Sequence, residues 1–179
     1  MDKSCILLYH GVTKSNSKGI ENCSNKHIQA KEFEKQMKWI SKNKNVVSIR
    51  NIKDEPDSVA VTFDDTFKNI YDVALPILKK YDIPATFFIS TGFIGTNKNF
   101  WVDRLEHMIN FSKQDNIEFN DTLFDISNNI NKIDSLTQIK SYLKKCNPLD
   151  RENLLENIRL QTGWVDDADV ENYKNLNID

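Results

Sequence analysis

Residues 58–67 constrain the fold of this chain more than any other stretch. An apolar, β-branched run at 58–63 leads directly into two adjacent carboxylates, Asp64 and Asp65, and a helical pattern starts near Phe67. This order predicts a buried strand that carries both acids at its carboxyl end, where α/β folds keep their functional groups. Neighbouring side chains on a regular strand point to opposite faces. Both acids can therefore serve one site only if the strand ends there and the backbone turns.

The rest of the first half indicates a parallel βαβ arrangement. Apolar residues within 30–43 recur at helical spacing, whereas those at 85–90 are too continuous for a strand with one wet face. Residues 13–29 are polar and rich in turn formers, which favours a loop. In chain order the sequence predicts strands at 5–9, 46–49, 58–63 and 85–90, and helices at 30–43 and 70–81, the second with a kink or a restart at Pro76.

The second half has a different character. Residues 112–134 are rich in Asn and Asp with weak periodicity, and no new strand is evident. A chain of 179 residues suits one domain better than two. We therefore expect an α/β domain whose first part spans 1–110, with a mostly helical insertion or extension of that domain at 111–179. One helix is predicted just before this region, at 101–109, and three are predicted within it, at 135–145, 151–161 and 169–176.

Composition excludes several classes of function. A formal net charge of -2, from 24 basic and 26 acidic residues, leaves no electrostatic footprint for nucleic acid or an anionic membrane. No stretch approaches the roughly 20 apolar residues of a membrane-spanning helix. The apolar run before His10 is too short for the core of a secretory signal, so a cytoplasmic location is expected. Three widely spaced cysteines, Cys5, Cys23 and Cys146, indicate reduced thiols and do not support a cysteine zinc site.

The acid pair points to a metal ion, a general base, or both. Two carboxylates held close together repel, and one takes up a proton unless a cation lies between them. A divalent metal on one acid would remove that penalty and leave the other to accept a proton from water. The alternative is that the acids merely start the following helix, which explains one acid well and two poorly. A phosphatase-type pair at positions i and i+2 fails, because Thr66 occupies the second position.

An ordered set of motifs resembles the polysaccharide deacetylase family (carbohydrate esterase family 4). The string TFDD at 62–65 resembles the family's first motif, and it is followed by LPILKKY at 75–81 and IPATFFI at 83–89. The string LLYHGV at 7–12 resembles the family's first strand, and WVDRL at 101–105 resembles a subgroup with a helical insertion. Each string alone is a weak signal. The order and spacing of all five make the resemblance specific.

The resemblance implies a distorted (β/α) barrel that hydrolyses the acetamido C–N bonds of an acetylated glycan or sugar precursor. Carried over to this sequence, Asp64 is the general base and Asp65 is a metal ligand. The family's metal is usually zinc, held by one Asp and two His, which polarises the acetyl carbonyl and acidifies water. His10, at the end of the first strand, becomes a candidate substrate contact. Its plainer interpretation is a polar residue that ends a strand.

The sequence departs from the family pattern in two ways. Thr66 stands where the family has Gly, which puts a Cβ at a tight turn. The family's two metal-binding histidines come from a later His-x-x-x-His motif, and no histidines here are four apart; His27 lies in a polar loop and His107 on a predicted helix. We therefore expect the N-terminal part of a deacetylase, an incomplete barrel that needs sequence beyond residue 179. The alternative is a non-catalytic truncated remnant or a partner-binding fragment.

Overall fold

A computed structural model of the protein describes residues 4–65, 67–165 and 170–177. These residues fall into two compact units, each of which is described by itself. The sheet unit comprises Met1–Asn16, Ser24–Asn97 and Val170–Asp179, and the hairpin unit comprises Ser17–Cys23 and Lys98–Asp169. The chain has the mixed α/β character expected from its sequence. The assignment of 1–110 and 111–179 to two parts of one domain stays a prediction.

Parallel strands build the sheet unit around one buried central strand. All six residues of that strand, β5, are buried. It pairs in parallel with β1, β4 and β6, and Phe63 lies opposite both Tyr9 and Phe87. Strands β2 and β3 form a separate parallel pair. The strands are β1 (Cys5–Tyr9), β2 (Gly11–Thr13), β3 (His27–Gln29), β4 (Asn45–Val46), β5 (Ser58–Phe63) and β6 (Ala85–Phe87).

Helix α1 (Ala30–Asn43) covers one face of this sheet, as its apolar spacing predicted. Phe33, Met37 and Ile40 share one side of the helix and are buried. The Phe33 ring meets Tyr9 edge-on at 5.1 Å between centroids and Phe63 at 5.8 Å. Burial of each such side chain contributes about 1.5–3 kcal/mol to folding. The contact fixes α1 beneath the carboxyl ends of β1 and β5.

The helical region after β5 restarts near Pro76, one of the two outcomes, a kink or a restart, that proline predicts there. A π-helical segment, Ile70–Ala74, passes directly into helix α2 (Leu75–Lys80). Pro76 lies in the first turn of α2, where its missing N–H removes no required hydrogen bond. The wider π turn absorbs the change of backbone geometry that proline imposes.

Three expectations for the sheet unit need correction. Residues 13–29 are not all loop, because β2 and β3 lie at their two ends and pair with each other. The strand expected at 85–90 stops at Phe87, and a 3-10 turn follows at Thr91–Phe93. Strand β1 is not the buried strand that its short apolar run predicts, because Cys5, Ile6 and Leu8 are exposed. Three-residue strands that owe their existence to pairing leave too short a pattern to detect from sequence.

The hairpin unit contains a β-hairpin as well as helices, so the expectation of no new strand was wrong. Strands β7 (Asn116–Phe119) and β8 (Thr122–Asp125) pair in antiparallel register. Asn120 and Asp121, at the turn, both have positive φ, as a two-residue hairpin turn of this kind requires. The remaining elements are α3 (Trp101–Phe111), α4 (Asn129–Leu143) and α5 (Pro148–Thr162).

The last described residues do not form the helix expected at 169–176. Asp169 lies outside the described residues, and the rest contains only a 3-10 turn at Glu171–Tyr173. Beyond it the chain is extended and Asn175 bridges to Phe67 in the sheet unit. We call residues 170–177 the return segment. Among the described helices, none has both the length and the apolar character to cross a bilayer.

Candidate active site

The two acids lie where β5 ends, and the backbone turns there as the sequence argument required. The Asp64 N–H donates to the Tyr9 carbonyl at 2.9 Å, which extends the β1–β5 pairing by one residue. Asp65 then adopts a φ of 69°, in the left-handed region that Asp tolerates better than most residues. The strand therefore ends between the two acids. Thr66, which departs from the family pattern, lies outside the described residues.

His10 lies beside the acids on the neighbouring strand end. Tyr9 is opposite Phe63 in the parallel register, so His10 and Asp64 are the next residues along their respective strands. His10 is half-buried and its charge acts on the Asp65 carboxyl. The structure thus brings together all three residues that the sequence singled out. Which of them bind metal or substrate stays a prediction.

Burial dominates the electrostatics of Asp65. It raises the pKa of this carboxyl above its ordinary value, because a charged carboxylate loses hydration there. Lys26 and His10 act in the opposite direction, and the charge of Asp64 adds to the upward shift. A cation placed against Asp65 would offset the desolvation and favour its ionised form.

Lys26 is a member of this site that sequence reasoning missed. Its ammonium lies 5.3 Å from the centroid of the Phe67 ring and 6.0 Å from that of Tyr173, within the range of cation–π attraction. Gly11 pairs with His27 in the β2–β3 ladder, so Lys26 and His10 are the residues just before that ladder. No local pattern marks Lys26, because Tyr173 is far away in sequence.

The return segment anchors the chain that follows the acids. The Lys68 N–H donates to the Lys174 carbonyl at 2.7 Å, next to the bridge between Phe67 and Asn175. Phe67 and Tyr173 are almost fully buried and meet edge to face, with 5.8 Å between ring centroids. The sequence argument assigned no role to this segment, and its polar composition carries no signal of one.

The described residues do not by themselves fit a catalytic zinc centre. Such centres use three protein ligands. Within 4–65, 67–165 and 170–177, no group of three His, Cys, Asp or Glu side chains is placed to hold a metal ion. Asp64, Asp65 and His10 do not form such a group with any other described side chain, and their roles stay predictions. His107 belongs to α3 in the hairpin unit, where it is fully buried with its ring 5.7 Å from that of Trp164.

Comparison with known proteins confirms the family resemblance in the N-terminal part of the chain. Residues 51–121, which contain both acids, match the family model described as polysaccharide deacetylase. A poly-beta-1,6-N-acetyl-D-glucosamine N-deacetylase of Staphylococcus aureus is 38% identical over 113 residues. That match covers 52% of this chain and 38% of the relative, so the chain spans well under half the length of this curated relative.

Two solved structures are similar to part of the chain. The IcaB structure from Ammonifex degensii is 26% identical, covers 59% of this chain and 48% of its own, and has a TM-score of 0.46. The Streptococcus pyogenes deacetylase PplD, solved in complex with acetate, is 27% identical over 57% of this chain and 50% of its own, with a TM-score of 0.44. The resemblance of residues 51–121 to the family rests on the sequence matches and not on these superpositions.

Proposed function

We propose that this chain forms the N-terminal part of a metal-dependent carbohydrate N-deacetylase. The observation that carries the proposal is the turn at Asp64 and Asp65, at the carboxyl end of a buried parallel strand and inside the segment that matches the deacetylase family. The substrate class is an acetylated amino-sugar polymer. The Staphylococcus aureus relative, whose name specifies poly-beta-1,6-N-acetyl-D-glucosamine, supports that class.

In this proposal each residue of the site has a separate role. Asp64 accepts a proton from the water that attacks the acetamido carbonyl. The C–N bond then breaks as this proton passes to the sugar nitrogen, which leaves a free amine on the sugar and releases acetic acid. Asp65 would hold the divalent metal, which the family resemblance gives as zinc, and the other ligands would come from sequence outside these 179 residues. His10, on the adjacent strand end, contacts the substrate.

The same proposal makes the described sheet a part of a distorted (β/α) barrel. Alternate residues of β1 are half-exposed, with Ile6 at 51% and Leu8 at 53%. Phe88 and Ile89, which directly follow β6, are also exposed. Parallel sheets normally have both faces covered, so these side chains support further strands from outside the described residues.

The alternative is a truncated remnant without catalytic activity, which binds a partner through its exposed surface. The same exposed side chains favour it, together with the absence of a three-ligand group from the described residues. Both candidates predict that the 179-residue chain alone does not hydrolyse amides. They differ in what happens when the missing portion is supplied.

The test compares the 179-residue chain with the product of the gene read beyond codon 179. Acetate release from N-acetylglucosamine oligomers and zinc uptake are measured for each, with Asp64→Asn and Asp65→Asn variants. Asp82→Asn is the matched control, because Asp82 also has positive φ in the sheet unit but is exposed beyond α2. We expect activity in the longer chain that Asp64→Asn abolishes and Asp82→Asn preserves. Zinc-loaded longer protein that releases no acetate would establish the remnant.

A further inference from the structure

We infer that Asn69 is a positioning residue for the Asp64–Asp65 pair, and that it acts through a hydrogen bond to a neutral His27. The inference rests on the proposed function, since the position of the two acids matters to chemistry only if they form the site. Its observations are independent of that function. They concern a buried polar cluster that neither the family match nor the sequence motifs assign.

The Asn69 side chain joins three segments of the sheet unit. Its Oδ1 accepts from the Val12 N–H at 3.3 Å, and its Nδ2 donates to the Asn172 carbonyl at 3.0 Å. The same Nδ2 lies 3.1 Å from Nδ1 of His27. Asn69 is 8% exposed and His27 is 4% exposed. One amide thus holds β2, β3 and the return segment against the start of the helical region that follows the acids.

The partners of Asn69 fix both its orientation and the tautomer of His27. The Val12 N–H can only donate, so it needs Oδ1; the Asn172 carbonyl can only accept, so it needs Nδ2. A flipped amide would oppose both. Since Nδ2 is a donor, His27 must accept at Nδ1 and carry its proton on Nε2. A second proton on His27 would direct an N–H against the Asn69 amide hydrogens.

This cluster controls where the acids lie because the loop that carries them is short. Its beginning is held by the bond from the Asp64 N–H to Tyr9, and its end is held by Asn69. Between them, the Phe67 ring packs against His27 with 4.8 Å between centroids. Loss of the Asn69 side chain removes one restraint from the end of this loop and weakens the hold of the return segment, whose carbonyl at Lys174 accepts from the Lys68 N–H. The left-handed turn at Asp65 then loses the restraint that selects it.

The first measurement is made on the unaltered chain, so it does not depend on any variant folding. We expect ¹⁵N NMR to show His27 with an unprotonated Nδ1 and a protonated Nε2 at neutral pH. Asn69→Asp replaces the amide donor by a carboxylate, and His27 should then show a protonated Nδ1. A protonated Nδ1 in the unaltered chain would overturn the inference.

The second measurement is hydrogen exchange of the backbone amides of residues 64–68. Asn69→Ala leaves buried partners unsatisfied, and we expect exchange there to accelerate roughly tenfold or more. His27→Leu should do the same, whereas His27→Gln, whose side-chain oxygen can accept from Asn69, should restore much of the protection. A role in filling space alone would make Leu and Gln equivalent, and equal exchange in the two variants would contradict the inference.

Asn110→Ala is the matched control. Asn110 is a buried asparagine of the hairpin unit whose Oδ1 accepts from the Ile20 N–H at 2.8 Å and whose Nδ2 donates to the Lys18 carbonyl at 2.9 Å. Its loss should leave exchange at 64–68 unchanged. Failure of the deacetylase proposal would appear as absent acetate release by the longer gene product with the His27 tautomer intact. Failure of the positioning role would appear as unchanged exchange in Asn69→Ala, whatever the activity.

Discussion

Replacement of Gly11 by alanine should damage the site without touching either acid. Gly11 pairs with His27 in the β2–β3 ladder. A Cβ built on Gly11 would collide with Nδ1 of His27, and it would lie 2.7 Å from Cε1 of the same ring and 2.8 Å from Oδ1 of Asn69. Both neighbours are buried and hydrogen-bonded to each other, so neither can yield without loss of that bond.

The magnitude follows from two terms. Overpacking a well-filled interior costs about 1–3 kcal/mol. Displacing His27 or Asn69 leaves a buried polar group unsatisfied, which costs about 1–3 kcal/mol more. We therefore expect Gly11→Ala to lower the free energy of opening of the sheet unit by about 2–6 kcal/mol, the sum of these ranges.

Native-state hydrogen exchange at the amides of β5 is the suitable assay, because a chain with two compact units need not unfold in one step. Gly92→Ala is the control: nothing lies within 4 Å of a Cβ at Gly92, which stands in a 3-10 turn without positive φ. That variant should change the free energy by less than about 1 kcal/mol. Equal effects of the two substitutions would refute the proposed packing of Gly11 against the His27–Asn69 pair.

Three further predictions concern single side chains. Burial raises the pKa of Asp65, so its protonated form favours folding, and this contribution to stability disappears as pH rises from the ordinary pKa of 3.8 through the raised one. Urea unfolding should therefore show Asp65→Asn to be more stable than the unaltered metal-free chain at pH 7 but not at pH 3. Burial and the nearby Glu106 carboxylate raise the pKa of Cys23 to about 11, so iodoacetamide at pH 8 should modify exposed Cys5 well before Cys23, as peptide mass spectrometry would show. The Asn128 side chain caps α4 by accepting from two backbone N–H groups. Asn128→Ala should therefore lower the free energy of unfolding of the hairpin unit by about 1 kcal/mol in thermal or urea unfolding. An unchanged midpoint would contradict the capping role.

The elements that sequence analysis predicted best are those whose signal is local and long. Helix α1 repeats its apolar spacing over several turns, and β5 is a six-residue buried run followed by acids. The hairpin β7–β8 escaped notice although its evidence is visible. Ile117 and Phe119 alternate with exposed neighbours, and Asn-Asp at the turn is suited to positive φ. Four-residue strands in an Asn-rich region give alternation too brief to outweigh composition.

The partners of the site were harder to predict than the site itself. Asp64, Asp65 and His10 each stand at the end of an apolar run, so their position follows from the strand pattern. His27 and Asn69 do not follow an apolar run, and their importance comes from a bond between residues 42 apart in sequence. The return segment contributes through backbone carbonyls at Asn172 and Lys174. A carbonyl is present at every residue, so no sequence pattern could identify these two.

The position of His10 between two ladders explains how such distant residues meet. The chain passes from β1, which pairs with β5, into β2, which pairs with β3, and His10 is the one residue between them. The first ladder sets the end of β5 and its acids on one side of His10. The second ladder sets Lys26 on the other. Lys26 and His10 therefore both act on the Asp65 carboxyl because two parallel registers share a strand junction, and a shift of either register by one residue would change that arrangement.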